Sequence, residues 1–260
     1  MWCLWCCLPD LDDALTIRYP MNRLIPKEKA AELLHHLQTA AIPYEYDAEK
    51  HRLTLLDAAG NEQLYFRLPL TFAPPTPAHP AAEVPLNYVI LLIQSGYCAL
   101  GYFEDGVNLD HKVFRSYMVR KKQGKSQIKY LKTKGKSRSG SRVRLGETLE
   151  FFENINERLQ TYSEEYEVQC IAISCSKTLL PYLFSSKVAT PFDKHDPRLY
   201  KIPKHVHTPI YDVLLDTNKF LLRGELIYEE AQQALVKELL GDAGETYEDD
   251  FAEDDEDLDW

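Results

Sequence analysis

The short stretch Gly124-Lys125-Ser126-Gln127 holds the residue types from which chemistry could be built. An amide cannot take up a proton near neutral pH, so Gln127 is no general base. It can donate and accept hydrogen bonds at once, and so orient a water or stabilise developing negative charge. Gly124 and Ser126 are small enough for the backbone to enter a narrow site. The tetrapeptide lies inside a run of one charge sign: from Lys112 to Arg144 there are 13 Lys and Arg and no Asp or Glu. The whole chain carries 40 acidic and 30 basic residues, so 30 − 13 leaves 17 basic residues elsewhere against all 40 acids. Such a run, rich in Gly, Ser and Lys, cannot pack a core and repels itself. Its natural partner is a polyanion, nucleic-acid phosphate above all. The side chains expected to hold phosphates are Arg120, Lys121, Lys122, Lys125, Lys129, Lys132, Lys134, Lys136, Arg138, Arg142 and Arg144. The arrangement would insert one amide into an active centre made mostly of RNA.

Other chemistries lack their parts. The GKS triplet has no preceding glycine and no strand-to-helix setting, so it is not a phosphate loop. No H-E-x-x-H, G-x-S-x-G or dinucleotide fingerprint occurs. Ser126 as a nucleophile would need a base beside it, and none is evident. Cys3, Cys6 and Cys7 form a C-x-x-C-C cluster of soft ligands with no second pair nearby, so the reading is an apolar tail and no metal. No cofactor is expected.

The elements that must position the loop follow from periodicity. Downstream, Leu145, Leu149, Phe152, Ile155, Leu159 and Tyr162 repeat at helical spacing, with Glu147 and Glu150 near the expected helix start. Upstream, NYVILLIQ, GYCALGYF and VNLDHKVFRSYMVR read as three strands joined at Ser95-Gly96 and Glu104-Asp105-Gly106, the third running straight into the loop. VQCIAIS reads as a buried strand and KTLLPYLF as a short helix. Thr208 and Pro209 read as the cap and first position of the helix PIYDVLLDTNKF. A last helix is expected from about Tyr228 to Leu240.

The N-terminal part reads as a helix, KEKAAELLHHLQTA after Pro26, with Ala30, Leu33, Leu34, Leu37 and Ala41 as its apolar stripe. A small antiparallel sheet of IPYEYD, HRLTLLD and EQLYFRLPL follows. Five prolines between Pro74 and Pro85 suggest a stiff extended connector. The expected division is a small α+β module over 1–73, a connector over 74–85, an α/β domain over 86–225 with its basic loop at 120–144, a C-terminal helix over 226–241 and a tail over 242–260. That tail has 11 acidic residues and no basic ones, and reads as disordered and solvating, the alternative being a nucleic-acid mimic that lies over the basic loop. No apolar run approaches the roughly 18 to 20 residues that span a bilayer, so the expectation is a cytoplasmic protein without a membrane partner.

Tyr117-x-x-Arg120-x-x-Gln123-Gly124-x-Ser126-Gln127 resembles the signature of the Vms-like release-factor (VLRF) domain. Asp196-Pro197-Arg198, Ile202-Pro203 and Thr208-Pro209 resemble a later segment of the same family, and the likeness covers roughly residues 86 to 225. The resemblance implies an RNase H-like mixed sheet, as in the central domain of eukaryotic and archaeal termination factors. It also implies hydrolysis of peptidyl-tRNA at the peptidyl transferase centre of stalled or split large ribosomal subunits. DNA is not among the implied partners. Gln127 would correspond to the catalytic glutamine, with Gly124, Lys125 and Ser126 as its loop. Lys125 departs from members that have a second glycine there, adding bulk beside the reacting ester. Two alternatives stay open: cleavage of tRNA near its acceptor end, and ribosome or RNA binding without catalysis.

Overall fold

The computed structural model describes residues 20–75, 83–116 and 137–241, with side chains from 147 onward in the last span. Among the described residues, ten strands form two five-stranded sheets. The second sheet positions the candidate site. Its strands are β5 (Asn87–Gln94), β6 (Tyr97–Glu104), β7 (Val107–Arg115), β8 (Cys170–Cys175) and β9 (Leu199–Lys201). They lie in the order β7-β6-β5-β8-β9, with β6 antiparallel to its neighbours and β8 and β9 parallel to β5. In order of appearance this is 3-2-1-4-5 with the second strand reversed, the expected RNase H-like arrangement.

The apolar run of β5 is explained by burial on both faces, as expected for a central strand covered by helices. One face, through Val89, Leu91, Ile93, Leu100 and Tyr102, packs on helix α2 (Ser137–Glu165) and the short helix α3 (Leu180–Phe184). Phe152, Ile155, Leu159 and Tyr162 form the stripe that α2 presents to it. The buried Asn156 amide donates to the carbonyls of Leu183 and Val188 at 2.9 and 2.8 Å, fixing α3 and its exit against α2. The other face, through Tyr88, Ile90, Leu92 and Phe103, packs on helix α4 (Tyr211–Leu221). Gly101 lies where Leu214 of α4 descends; a Cβ there would stand 2.8 Å from the leucine Cδ2. The turn between β6 and β7 places Asp105 and Gly106 at φ 47° and 87°, the paired left-handed geometry that an Asp-Gly hairpin turn supplies.

The first sheet runs β1 (Met21–Ile25), β10 (Gly224–Tyr228), β4 (Glu62–Arg67), β3 (Arg52–Leu56) and β2 (Tyr44–Asp47). Helices α1 (Lys27–Thr39) and α5 (Gln233–Leu240) close its core. Ala30, Leu33, Leu34 and Leu37 are buried as the stripe predicts, whereas Ala41 turns out at φ 52° beyond the helix.

Several elements differ from the sequence reading. Residues 224–228 are strand, wedged between β1 and β4 and lying outside any helix, because the apolar GELIY completes a sheet begun 200 residues earlier. Of the expected connector, 76–82 lie outside the described residues; on either side of them Phe72 pairs with Glu83, and the Lys27 ammonium reaches the Glu83 carboxylate. Thr208 does not cap α4, which starts at Tyr211, two residues after the expected first position Pro209, following an extended Ile210. The long helix begins at Ser137, eight residues before Leu145, so the connection from β7 is shorter than the expected loop and Arg138, Arg142 and Arg144 lie within a helix. Arginine is a good helix former, and its charge pattern gave no sign of the boundary.

The sheets meet at one end of the second. Leu70 N–H donates to the Leu221 carbonyl at 2.8 Å. Arg67, buried, donates through Nε to Glu225 at 2.8 Å and through Nη2 to the Phe220 carbonyl at 3.2 Å. These contacts fall at the C-terminal end of α4, where the Asn218 amide donates to the carbonyl of Gly106. The first sheet therefore docks beside the β6–β7 turn.

Candidate nucleic-acid interface

The segment 117–136 leaves β7 at Ser116 and enters α2 at Ser137. Strand β7 and helix α2 run antiparallel and are fastened at two levels. At the strand exit, Ser116 N–H donates to the Gly96 carbonyl at 2.8 Å and its hydroxyl to the Glu147 carbonyl at 3.3 Å. Below, the Asp110 carboxylate accepts from Tyr162 at 2.5 Å and pairs with Arg158, whose guanidinium also lies 4.8 Å from the Tyr162 ring centroid. Burial works against the Asp110 charge. The hydrogen bonds from Tyr162 and Arg158 outweigh it and hold the carboxyl below the usual range. Burial and the bond to Asp110 together push the Tyr162 phenol well up.

A bulge aims this clamp. Tyr102 pairs with Asp110 and Phe103 with Asn108, so Leu109 is the extra residue. The skip lets Asn108 and His111 both face α4, where His111 stacks on Tyr211 at 3.8 Å and Tyr211 donates to Asn108 at 3.3 Å. Asp110 between them faces α2. An extra residue at an edge strand also spoils the edge for pairing with another chain.

Between β7 and α2 runs an open polar groove. One section of about 450 Å³ is lined by Asp110, His111, Lys112, Asn154 and Arg158 among others. A second, of about 280 Å³, lies beside Arg115, Ser116, Glu147 and Glu150. From the tie at Glu147 the helix continues ten residues to Ser137, about 15 Å at 1.5 Å per residue. The 20 residues 117–136, outside the described residues, connect the end of β7 to the start of α2.

Arg120, Lys121, Lys122, Gly124, Lys125, Ser126, Gln127, Lys129, Lys132, Lys134 and Lys136 lie outside the described residues, as do Cys3, Cys6, Cys7 and the acidic tail 242–260. Arg138, Arg142 and Arg144 fall in the first turns of α2. Among the described residues no cluster of His, Cys, Asp or Glu could hold a metal, and no helix is long and apolar enough to cross a membrane. Cys98, Cys170 and Cys175 are free thiols; burial pushes the last two up to about 12, far from reactive thiolate. Sequence reasoning missed the Asp110–Arg158–Tyr162 clamp. A four-residue spacing from Arg158 to Tyr162 was its only local signal, since the acid that joins them is 48 residues upstream.

An RNase H-like sheet with a basic insertion between its third strand and its first helix defines the class: a release-factor-type α/β domain. Residues 88–229 match the family described as "Bacteroidetes VLRF1 release factor". That span is more than half of the chain, and the chain belongs to this family. Its membership associates it with translation and the ribosome at the level of the family. Among solved structures, one described as "Vms1 mitochondrial localization core" matches at 12% identity and a TM-score of 0.36, over 73% of this chain and 79% of that one. The curated proteins yield no match.

Proposed function

We propose that this protein releases nascent chains from peptidyl-tRNA on stalled or split large ribosomal subunits, with Gln127 as the catalytic residue. Gln127 orients a water whose oxygen attacks the ester carbonyl. Its side-chain N–H faces the oxyanion that develops. The carbonyl–oxygen bond to the terminal ribose then breaks, leaving a carboxyl on the peptide and a hydroxyl on an intact tRNA. The water's proton is not taken by the amide and ends on the leaving ribose oxygen. Arg120, Lys121, Lys122 and Lys125 hold phosphates around the reacting end, and the remaining cations up to Arg144 hold the RNA further out. The unit that carries the chemistry is the 86–225 span, and the first sheet serves docking.

The observation that supports the reading is the mounting of the loop within the matched family span. Twenty residues extend at most about 70 Å, which limits the distance of any of them from the two attachment points to about 35 Å. A connection of that length is enough for Gln127 to enter a deep RNA site.

The test compares wild type with Gln127→Ala on purified large subunits carrying a labelled peptidyl-tRNA. Release should fall by about 100-fold or more, as when a preorganised donor is removed, with subunit binding unchanged. Equal release by both proteins would sink the role of the amide. A tRNA shortened at its 3′ end would show phosphodiester cleavage, and tight binding without release by wild type would leave a non-catalytic ribosome factor.

A further inference from the structure

The loop leaves the sheet at one particular end. Strands β5, β7 and β8 finish there, β6 begins there, and β9 stops two residues below the end of β8, its chain continuing upward through 202–206. The described residues at and just beyond those strand ends are 94–97, 115–116, 175–178 and 201–208. They carry Arg115, Lys177, Lys201, His205 and His207, all exposed, and no Asp or Glu, while Lys204 in the same stretch turns its ammonium away towards Phe220. Only Arg115 lies in the basic run. The others come from two segments more than 30 residues downstream of that run, in a chain whose composition is acidic.

The fold holds these residues outward. In 202–207 the buried Ile202 and Val206 are the anchors. The Gln94 amide donates to the Val206 carbonyl at 2.8 Å, which pins the segment across the end of β5. His205 and His207 stand edge to face at 4.7 Å, both exposed. Lys204 leans back, with its ammonium 5.3 Å from the Phe220 ring centroid. From β7 to β9 the face is four strand spacings wide, about 19 Å. At the flank, Glu147 and Glu150 line the small groove beside Arg115, level with the exit of β7, so the part of the face without acids runs from β5 to the segment after β9.

We infer that this strand-end face is a second phosphate-binding surface, which seats structured RNA backbone beside the base of the loop. The inference rests on the release reading for the kind of RNA, but the face itself is built from residues that reading does not use. Open α/β sheets bind ligands beyond the carboxyl ends of their strands, where no helix covers the sheet. Cations spread over a 19 Å face meet several phosphates at once and read shape rather than sequence. A face without acids fits phosphate backbone, and its uniform sign distinguishes it from the mixed charge of an ordinary solvated surface.

The experiment measures binding of the full chain to large ribosomal subunits and to free tRNA over a range of salt. Wild type is compared with a double variant, Lys177→Gln with Lys201→Gln. Two lost phosphate contacts should flatten the log–log salt slope by about 1.5 and weaken binding roughly tenfold at low salt. The arginine pair, Lys177→Arg with Lys201→Arg, should restore both, and unchanged thermal midpoints confirm that every variant is folded. If wild type binds subunits and the double variant matches it in affinity and slope, the face is wrong and the release reading stands. If wild type binds tRNA but not subunits, and the double variant still loses slope, the face stands and the release reading falls. No binding of either RNA by wild type overturns both. Tighter capture of poly-glutamate than of tRNA at equal salt, lost in the double variant, gives the face to an acidic protein partner and overturns the RNA assignment.

Discussion

The two ends of the second sheet are made of the same strands and carry opposite chemistry. At the end where β5, β7 and β8 finish, the described residues of the strand ends and of the segment after β9 present five exposed basic or histidine side chains, Arg115, Lys177, Lys201, His205 and His207, and no acid. At the other end stand Glu104, Asp105, Glu164, Glu165, Glu167 and Asp193, against Lys194 and His195. Arg198, also there, is committed to Asp196 through Nε at 3.0 Å and Nη2 at 2.7 Å. The acidic end takes the docked first sheet and the basic end takes the loop. One end is thus used for holding the protein together and the other is left free for a polyanion. The difference teaches that net charge was a poor guide to this molecule, since an excess of ten negative charges coexists with a face that has none.

Three changes would break or sharpen that contrast. The largest effect is expected at the acidic end, in the buried Arg67–Glu225 pair within the first sheet, whose arginine also reaches the Phe220 carbonyl of α4. Arg67→Ala strands Glu225, whose carboxylate is buried, and should cost about 3 to 5 kcal/mol in urea unfolding. The tRNA salt slope of the folded fraction should stay at the wild-type value. A changed slope would show that the two ends are not independent.

A smaller effect is expected at the clamp between them. Asp110→Asn should cost about 1 kcal/mol at neutral pH, because the pair with Arg158 is partly open to solvent. The carboxyl is lowered in the folded protein, so its contribution is present above the ordinary carboxylate range and is lost as pH falls through the folded value. Wild-type stability should therefore decline below about pH 4 more steeply than that of Asp110→Asn. Parallel acid limbs for the two proteins would remove Asp110 as the latch of β7 on α2.

The smallest effect is expected from neutralising the acidic end itself. Strand β5 is eight residues long, which sets the two ends about 25 Å apart. That is more than twice the screening length of about 10 Å at 0.1 M salt. Glu164→Gln with Glu165→Gln should therefore change tRNA affinity by less than about twofold. A larger gain would mean that the polyanion extends around α2 to the far end.

Much of the second sheet was legible because its signals are local. NYVILLIQ is apolar without alternation, as a strand covered on both faces must be, and Asp105-Gly106 marks a hairpin by backbone preference alone. The first sheet was half legible. Strands β2, β3 and β4 follow one another, but β1 and β10 recognise each other across the whole chain, and nothing in MNRLI or GELIY announces a partner. The helix start was misjudged for a related reason: the stripe that packs on the sheet begins at Phe151 and Phe152, while the helix runs on for fourteen residues before them.

By itself the sequence determined the single-signed run with Gln127 inside it, the strands that flank it and the family to which they belong. These depend on composition, short spacing and periodicity, which survive without a fold. Only the tertiary structure decided which cations far from that run stand beside the loop's base. Strand order is a matter of pairing between distant segments, and it alone brings Lys177, Lys201 and His205 to the sheet end from which the loop departs.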